Sequence, residues 1–154
     1  MLRLPKGVYF MIEQDTVKLL RECDAGVKMG IQSIDDVQDY VKSERLGQYL
    51  DECRREHREL DRQIQEGLDE FGDEGKNPNP VAKGMSWMKT NVMLGLKESV
   101  HTIADLITDG CNMGVKSLSR YLNQYEAADE RSKDITKRLI KLEEQLATDV
   151  RQFL

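Results

Sequence analysis

One short stretch of the sequence, residues 53–60, holds side chains that could bind a metal or form a nucleophile pair. It reads CRREHREL, with Cys53 four residues before His57 and Glu56 directly before the histidine. In four-helix bundles, a Glu and a His on an inward helix face can form half of a di-metal centre. The first question is therefore whether His57 has the neighbours that a metal site needs.

The composition predicts an all-α protein with a single domain. The chain has 154 residues, of which 39% are hydrophobic and 33% are charged. Residue types that favour helices are abundant, whereas aromatic residues make up 6% of the chain and prolines number three. A chain of this length fits one domain that spans residues 1–154.

The charge and cysteine content argue against several classes of protein. The formal net charge is −5, which disfavours nucleic-acid binding because phosphate recognition needs a basic surface. Three cysteines do not suggest a disulfide framework, so a reducing, cytoplasmic setting is expected. The sequence lacks an uncharged apolar run of about 18 residues that could span a membrane. Its opening, MLRLPKGVYFMIEQD, lacks the apolar region of a signal peptide.

Two apolar stripes in the first half of the chain predict a helical hairpin. They run through residues 20–41 and 46–71, with apolar side chains at alternating spacings of three and four. Asp15 or Thr16 is a candidate N-cap for the first helix, and Ser43 for the second. Because few residues separate the stripes, we expect an antiparallel hairpin over about residues 15–72.

The second half repeats this arrangement. Its stripes run through residues 100–125 and 135–153, and the first of them passes through Gly110. A turn is predicted near residues 126–131, so the second hairpin covers about residues 100–154. Four helices with matched apolar stripes predict a four-helix bundle.

A long crossover, about residues 73–99, joins the two predicted hairpins and begins where Gly72 ends a helix. Its segment 81–99 predicts a short extra helix that packs across the bundle, or an extension of the third helix. The Trp87 and methionine side chains of this segment also suit an interface, so a homodimer through residues 81–99 is expected. Membrane association through its lysines is a weaker alternative, which the acidic remainder of the chain opposes. These lysines are Lys83, Lys89 and Lys97.

Three stretches of the chain carry a resemblance to a known class of protein. They read LLRECDAGVKMGIQSI at residues 19–34, GMSWMKTNVML at 84–94 and DGCNMGVKSL at 109–118. With them, the chain resembles the ferritin-like four-helix bundles over about residues 15–154. More narrowly, it is similar to a small bacterial family of such bundles whose biochemical role is unassigned. The resemblance implies an antiparallel bundle of two hairpins joined by a long crossover.

The ligand pattern of a di-metal bundle is incomplete in this sequence. Such centres take Glu-x-x-His from each of two helices and a carboxylate from each of the other two. Arg54 stands three residues before His57, where a Glu is needed, and the fourth helix has Glu143 but no histidine. Glu56 points about 100° away from His57 around the helix.

The residues opposite His57 follow from counting along each predicted hairpin. Positions equidistant from the turn share a level, which places Gly30 opposite His57 and Gly114 close to the level of Glu143. A glycine supplies no ligand, but it leaves space for an imidazole. Because a buried imidazole needs a partner, we predict a hydrogen bond between His57 and Glu143 in place of a metal.

Cys53 and His57 allow two further interpretations. They could jointly hold zinc, but two more ligands would be needed, and Cys23 and Cys111 fall at other levels by the same counting. They could also form a Cys–His nucleophile pair, but no oxyanion-hole motif accompanies them. Packing of the cysteines as small apolar residues is the simpler expectation.

The sequence leaves two functions open. The leading one is a non-catalytic ferritin-like bundle with a structural or interaction role, without a cofactor. The alternative is an atypical metal-binding protein of oxidative or metal stress that binds iron, manganese or zinc. Its candidate ligands are Glu56, His57, Glu126 and Glu143.

Overall fold

A computed structural model describes residues 3–78 and 100–154. Within these ranges the chain is all-helical, with four long helices packed against each other and no strand. The helices are α1 Lys6–Gln38, α2 Glu44–Glu70, α3 Val100–Gln124 and α4 Glu130–Val150, and a short 3-10 helix, Arg151–Phe153, follows α4. The segment 81–99, with its predicted extra helix, dimer surface and lysines, lies outside the described residues.

The core of the bundle is built from the apolar stripes of the four helices. The stripes of α1, α2 and α4 are buried along most of their length, as their periodicity predicts. The α3 stripe differs by one position, because Gly110 is exposed and Cys111 is buried in its place. Glycine has no side chain to bury, so α3 turns Cys111 towards the core instead. In the described ranges, each helix carries too much charge or too little apolar sequence to cross a bilayer.

The ends of the helices confirm several of the sequence signals. Ser43 caps α2, since its hydroxyl oxygen accepts a hydrogen bond from the Leu46 backbone N–H at 3.2 Å. At the other end of α2, Gly72 adopts a φ of +64° and the Asp73 N–H donates to the Leu68 carbonyl oxygen. This is the glycine-terminated end that the sequence predicts. The turn between α3 and α4 lies at residues 125–129, close to its predicted place.

The start of α1 was wrongly predicted. The helix begins directly after Pro5, well before the expected caps Asp15 and Thr16. The side chains of these two residues instead accept hydrogen bonds from the turn between α3 and α4. Asp15 accepts from the Ala127 N–H at 3.0 Å, and Thr16 accepts from the Asp129 N–H at 2.8 Å. Both polar side chains therefore satisfy backbone groups of a distant segment rather than those of their own helix.

The chain that leaves α2 is fixed to α1 by a buried carboxylate. The side chain of Asp24 is fully buried and accepts hydrogen bonds from the Lys76 backbone N–H at 2.8 Å and the Gln65 side chain at 2.8 Å. The Lys28 ammonium lies 3.0 Å away from the same carboxylate. Gly75 has a φ of +81°, and a Cβ at this position would overlap the carboxylate. Only glycine therefore allows this close approach of backbone to Asp24.

Candidate functional site

A buried histidine–carboxylate pair joins α2 to α4. His57 is 1% exposed, and its Nε2 lies 2.8 Å from Oε1 of Glu143, whose side chain is 13% exposed. The other ring nitrogen, Nδ1, lies 2.8 Å from the carbonyl oxygen of Cys53 on the same helix. The hydrogen bond predicted between His57 and Glu143 is therefore confirmed.

Two glycines create the space that this pair occupies. A Cβ added to Gly30 of α1 would lie 2.6 Å from Nε2 of His57, which is closer than real Cβ contacts. A Cβ on Gly114 of α3 would lie 3.5 Å from Oε2 of Glu143, an ordinary contact. Counting along the hairpins placed both glycines correctly. The imidazole thus lies against bare backbone, where a side chain on α1 would exclude it.

The hydrogen-bond partners of the imidazole determine where its protons lie. Because a carbonyl oxygen only accepts, Nδ1 must carry a proton and donate it to Cys53. Burial lowers the pKa of His57, but the hydrogen bonds to the Cys53 and Glu143 side chains and the charge of the Glu143 carboxylate outweigh burial and raise this pKa to about 10. At neutral pH both ring nitrogens therefore donate, and His57 and Glu143 form a buried ion pair.

Two cysteine thiols surround this ion pair. Cys53 Sγ lies 3.4 Å from Nδ1 of His57, and the thiol of Cys111 lies near enough to the Glu143 carboxylate for that carboxylate to raise its pKa. Cys111 precedes Gly114 by three residues, so the two lie on the same face of α3 about one turn apart. Burial raises the pKa of both thiols, and the negative Glu143 raises it further. At Cys53 the neighbouring His57 imidazole offsets part of this rise, but the pKa stays above its ordinary value. Both cysteines are therefore neutral and poor nucleophiles at pH 7.

Cys23 and the second histidine of the chain, His101, make structural contacts elsewhere. Cys23 packs in the core with its Sγ 3.1 Å from Oγ1 of Thr136, and burial raises the pKa of its thiol to about 12. His101, at the start of α3, donates from Nδ1 to the carbonyl oxygen of Phe153 at 2.8 Å. The histidine thereby ties the end of the described chain to α3.

The four candidate metal ligands do not converge. His57 and Glu143 meet, but Glu56 is exposed and lines an open surface groove between α2 and α4. Glu126 is exposed in the turn between α3 and α4, where the neighbouring Ala127 contacts Asp15. Among the residues that the structure describes, no group of three or more His, Cys, Asp or Glu side chains could hold a metal ion.

Comparison with known proteins identifies no relative of this chain. Neither a family model, nor a curated protein, nor a solved structure matches it. The chemistry of the site therefore follows from its own geometry, which is that of a buried ion pair flanked by two thiols.

The ion pair predicts a loss of stability at alkaline pH. His57 has a pKa of about 10 in the folded protein, against about 6.5 when unfolded. Its stabilisation is therefore complete below pH 6.5 and is lost as the pH rises towards 10. We expect the free energy of unfolding to fall by about 1 kcal/mol per pH unit between pH 7 and 9, as measured by urea denaturation.

The control for this pH dependence is the double variant His57→Leu/Glu143→Leu. It keeps Cys53 and Cys111, whose titration also lowers stability at high pH, but it lacks the titrating imidazole. The difference in unfolding free energy between wild type and double variant should shrink between pH 7 and 9. A constant difference over this range would mean that His57 is neutral in the folded protein.

Proposed function

We propose that this protein is a non-catalytic ferritin-like bundle of two antiparallel hairpins, with a structural or protein-interaction role. The proposal rests on one observation: protein side chains that bind each other fill the position where a di-metal bundle would bind its ions. Gly30 and Gly114 offer no ligands there, and His57 and Glu143 bind each other. The interior that could hold a metal pair instead holds an internally satisfied ion pair.

The groups of this cluster that could bind a metal already form hydrogen bonds within the protein. Both ring nitrogens of His57 are in use, and the imidazole is protonated, whereas a metal-bound histidine must present an unprotonated nitrogen. One carboxylate and one imidazole also fall short of the four carboxylates and two histidines of a ferritin-type di-iron centre. The neutral thiol of Cys53 argues against a Cys–His nucleophile pair as well.

Contacts on either side of the first turn support the hairpin arrangement. The Arg54 guanidinium lies 2.8 Å from the Asp35 carboxylate, and His57 lies against Gly30 further from the turn. In the second half, Glu143 lies against Gly114. In each contact, the two residues lie on opposite sides of a turn. Contacts of this kind are expected between antiparallel neighbouring helices.

A second candidate function is that of an atypical metal-binding protein. It is favoured by the two thiols beside the ion pair, because sulfur and imidazole ligands suit zinc. Zinc would have to displace protons from Cys53, Cys111 and His57 together. The raised pKa values of all three groups oppose that exchange.

Metal analysis separates the two functions. The full chain, purified without chelators and without added metal, should contain only substoichiometric iron, manganese and zinc. A ligand that binds the folded state raises the melting temperature. If the protein does not bind zinc, titration with zinc should therefore leave Tm unchanged. Stoichiometric metal that is lost in His57→Ala and kept in Glu56→Gln, a control at an exposed neighbour, would establish the metal-binding alternative.

Two expectations about the setting of the protein belong to the same proposal. The three cysteines are free and buried, which suits a reducing, cytoplasmic environment. The homodimer through residues 81–99 around Trp87 stays a prediction, because that segment lies outside the described residues.

A further inference from the structure

The first turns of α1 extend beyond the bundle core as an arm, defined here as residues 3–14. The first buried residue of α1 is Thr16, and most of the arm is exposed, with Phe10 at 65% and Met11 at 57%. Most of the large apolar side chains exposed in the described part of the chain lie in this arm. They are Leu4, Val8, Tyr9, Phe10 and Met11. Contiguous apolar patches of this kind mark interaction surfaces.

The arm is a poor helix by its own sequence. Gly7 and the three residues that follow it, Val8, Tyr9 and Phe10, all have weak helix propensity. Pro5 provides no side-chain cap, and the first turn has no acidic residue to favour the helix dipole. The arm continues a 33-residue helix and needs no nucleus of its own, but each of residues 7–10 extends the helix weakly. Packing against a partner would supply the missing stabilisation.

One face of the arm suits a second, identical helix. Within α1, Val8, Met11 and Ile12 are three and four residues apart, so they share a face, and Leu4 lies just before the helix begins. The helical part of the arm, from residue 6 to residue 14, is about 12 Å long at 1.5 Å per residue. Two such arms placed side by side in opposite directions would bury both faces, and each tip would reach the base of the other arm.

The arm leaves the bundle at the end where α2 stops and α3 turns into α4. The Ala127 backbone N–H in that turn donates to Asp15, just past the base of the arm. The Arg131 guanidinium at the start of α4 lies 2.7 Å from Glu70 at the end of α2. The three segments therefore form one end surface around the base of the arm.

The charges of the arm and of this end surface are complementary. The arm contains Arg3 and Lys6 at its tip and one carboxylate, Glu13, near its base, whereas the whole chain has a net charge of −5. The end surface exposes several carboxylates. They belong to Asp69, Glu70, Glu74, Glu126 and Glu130. An anionic membrane would attract the arm but repel this acidic surface beside it, whereas a second copy of the chain matches both.

We propose that the arm is a homodimerisation element. Two copies pair through their arms about a two-fold axis, the faces of Val8, Met11 and Ile12 pack together, and Arg3 and Lys6 of each copy meet the acidic end surface of the other. The surface is self-complementary, as a two-fold interface requires. Its small size, below about 1,200 Å² in total, predicts a reversible dimer with a micromolar dissociation constant.

The apolar part of the proposal is tested by sedimentation equilibrium of the full chain over a range of concentrations. Wild type should dimerise, and Val8→Glu/Met11→Glu should weaken dimerisation by at least about tenfold, equivalent to 1.4 kcal/mol. These side chains contact little of the bundle, so circular dichroism should show an unchanged fold. The control is Met113→Glu, at a methionine on α3 that is 64% exposed, which should leave dimerisation unchanged.

The charge part is tested by a charge exchange at low salt. Arg3→Glu/Lys6→Glu and Glu126→Lys/Glu130→Lys should each weaken the dimer about tenfold, and the combination of all four changes should restore it. A monomeric wild type would overturn the proposal. So would a dimer that the arm variants leave intact, or arm-dependent flotation with anionic vesicles by a protein that stays monomeric.

Discussion

Replacing Glu143 with alanine is expected to lower the free energy of unfolding by about 3–5 kcal/mol, because the change leaves a buried imidazolium without its counter-charge. His57 is 1% exposed and cannot turn to solvent, and Gly30 opposite offers no replacement acceptor. The protein must then either keep an unpaired buried charge or release a proton that the pair normally holds. Urea denaturation at pH 7 measures the loss.

A double-mutant cycle distinguishes the energy of the ion pair from the energy of packing its two side chains. His57→Leu and Glu143→Leu should each destabilise the protein, and the double variant should recover most of the loss, because two apolar side chains need no partner. The matched control is Glu144→Ala, at an exposed carboxylate beside the pair, which should change stability by less than about 0.5 kcal/mol. Equal losses in Glu143→Ala and Glu144→Ala would show that the pair contributes nothing specific.

Replacing Gly30 with alanine should destabilise the protein by about 3 kcal/mol, although alanine favours a helix over glycine by about 1 kcal/mol. The new Cβ would lie 2.6 Å from Nε2 of His57, and hydrogen bonds at both ring nitrogens hold the imidazole in this position. Relief of this overlap requires a shift of α1 or rotation of the imidazole away from Glu143. The expected result is therefore a loss of stability where helix propensity alone predicts a gain.

Gly26→Ala is the matched control in the same helix. Its Cβ would meet the Leu118 side chain at 3.8 Å, an ordinary contact, so this variant should gain about 0.5–1 kcal/mol. In a His57→Ala background the obstacle at Gly30 is gone, and Gly30→Ala should become neutral or stabilising. If Gly30→Ala changed stability equally in wild type and in the His57→Ala variant, the glycine would not be needed to make space for the imidazole.

The sequence was sufficient to predict the helices and the partner of His57. The apolar stripes and the capping residue Ser43 act within one or two turns of the chain, so they can be read locally. The predicted contact between His57 and Glu143 is long-range, but it follows from helix geometry, because the rise per residue is fixed and a short turn sets the level of everything beyond it. The same counting placed Gly30 and Gly114.

The tertiary structure alone decided the features that depend on how the helices rotate and meet. A stripe that includes Gly110 is compatible with burial of either Gly110 or Cys111, and the packed bundle buries the cysteine, since glycine has no side chain to bury. Asp15 and Thr16 have the side chains of N-caps, yet they serve the turn between α3 and α4 because its backbone N–H groups need acceptors. The burial of Cys111 and the partners of Asp15 and Thr16 depend on groups that are far apart in the sequence. No local pattern specifies where those groups lie, so only the packed bundle determines these contacts.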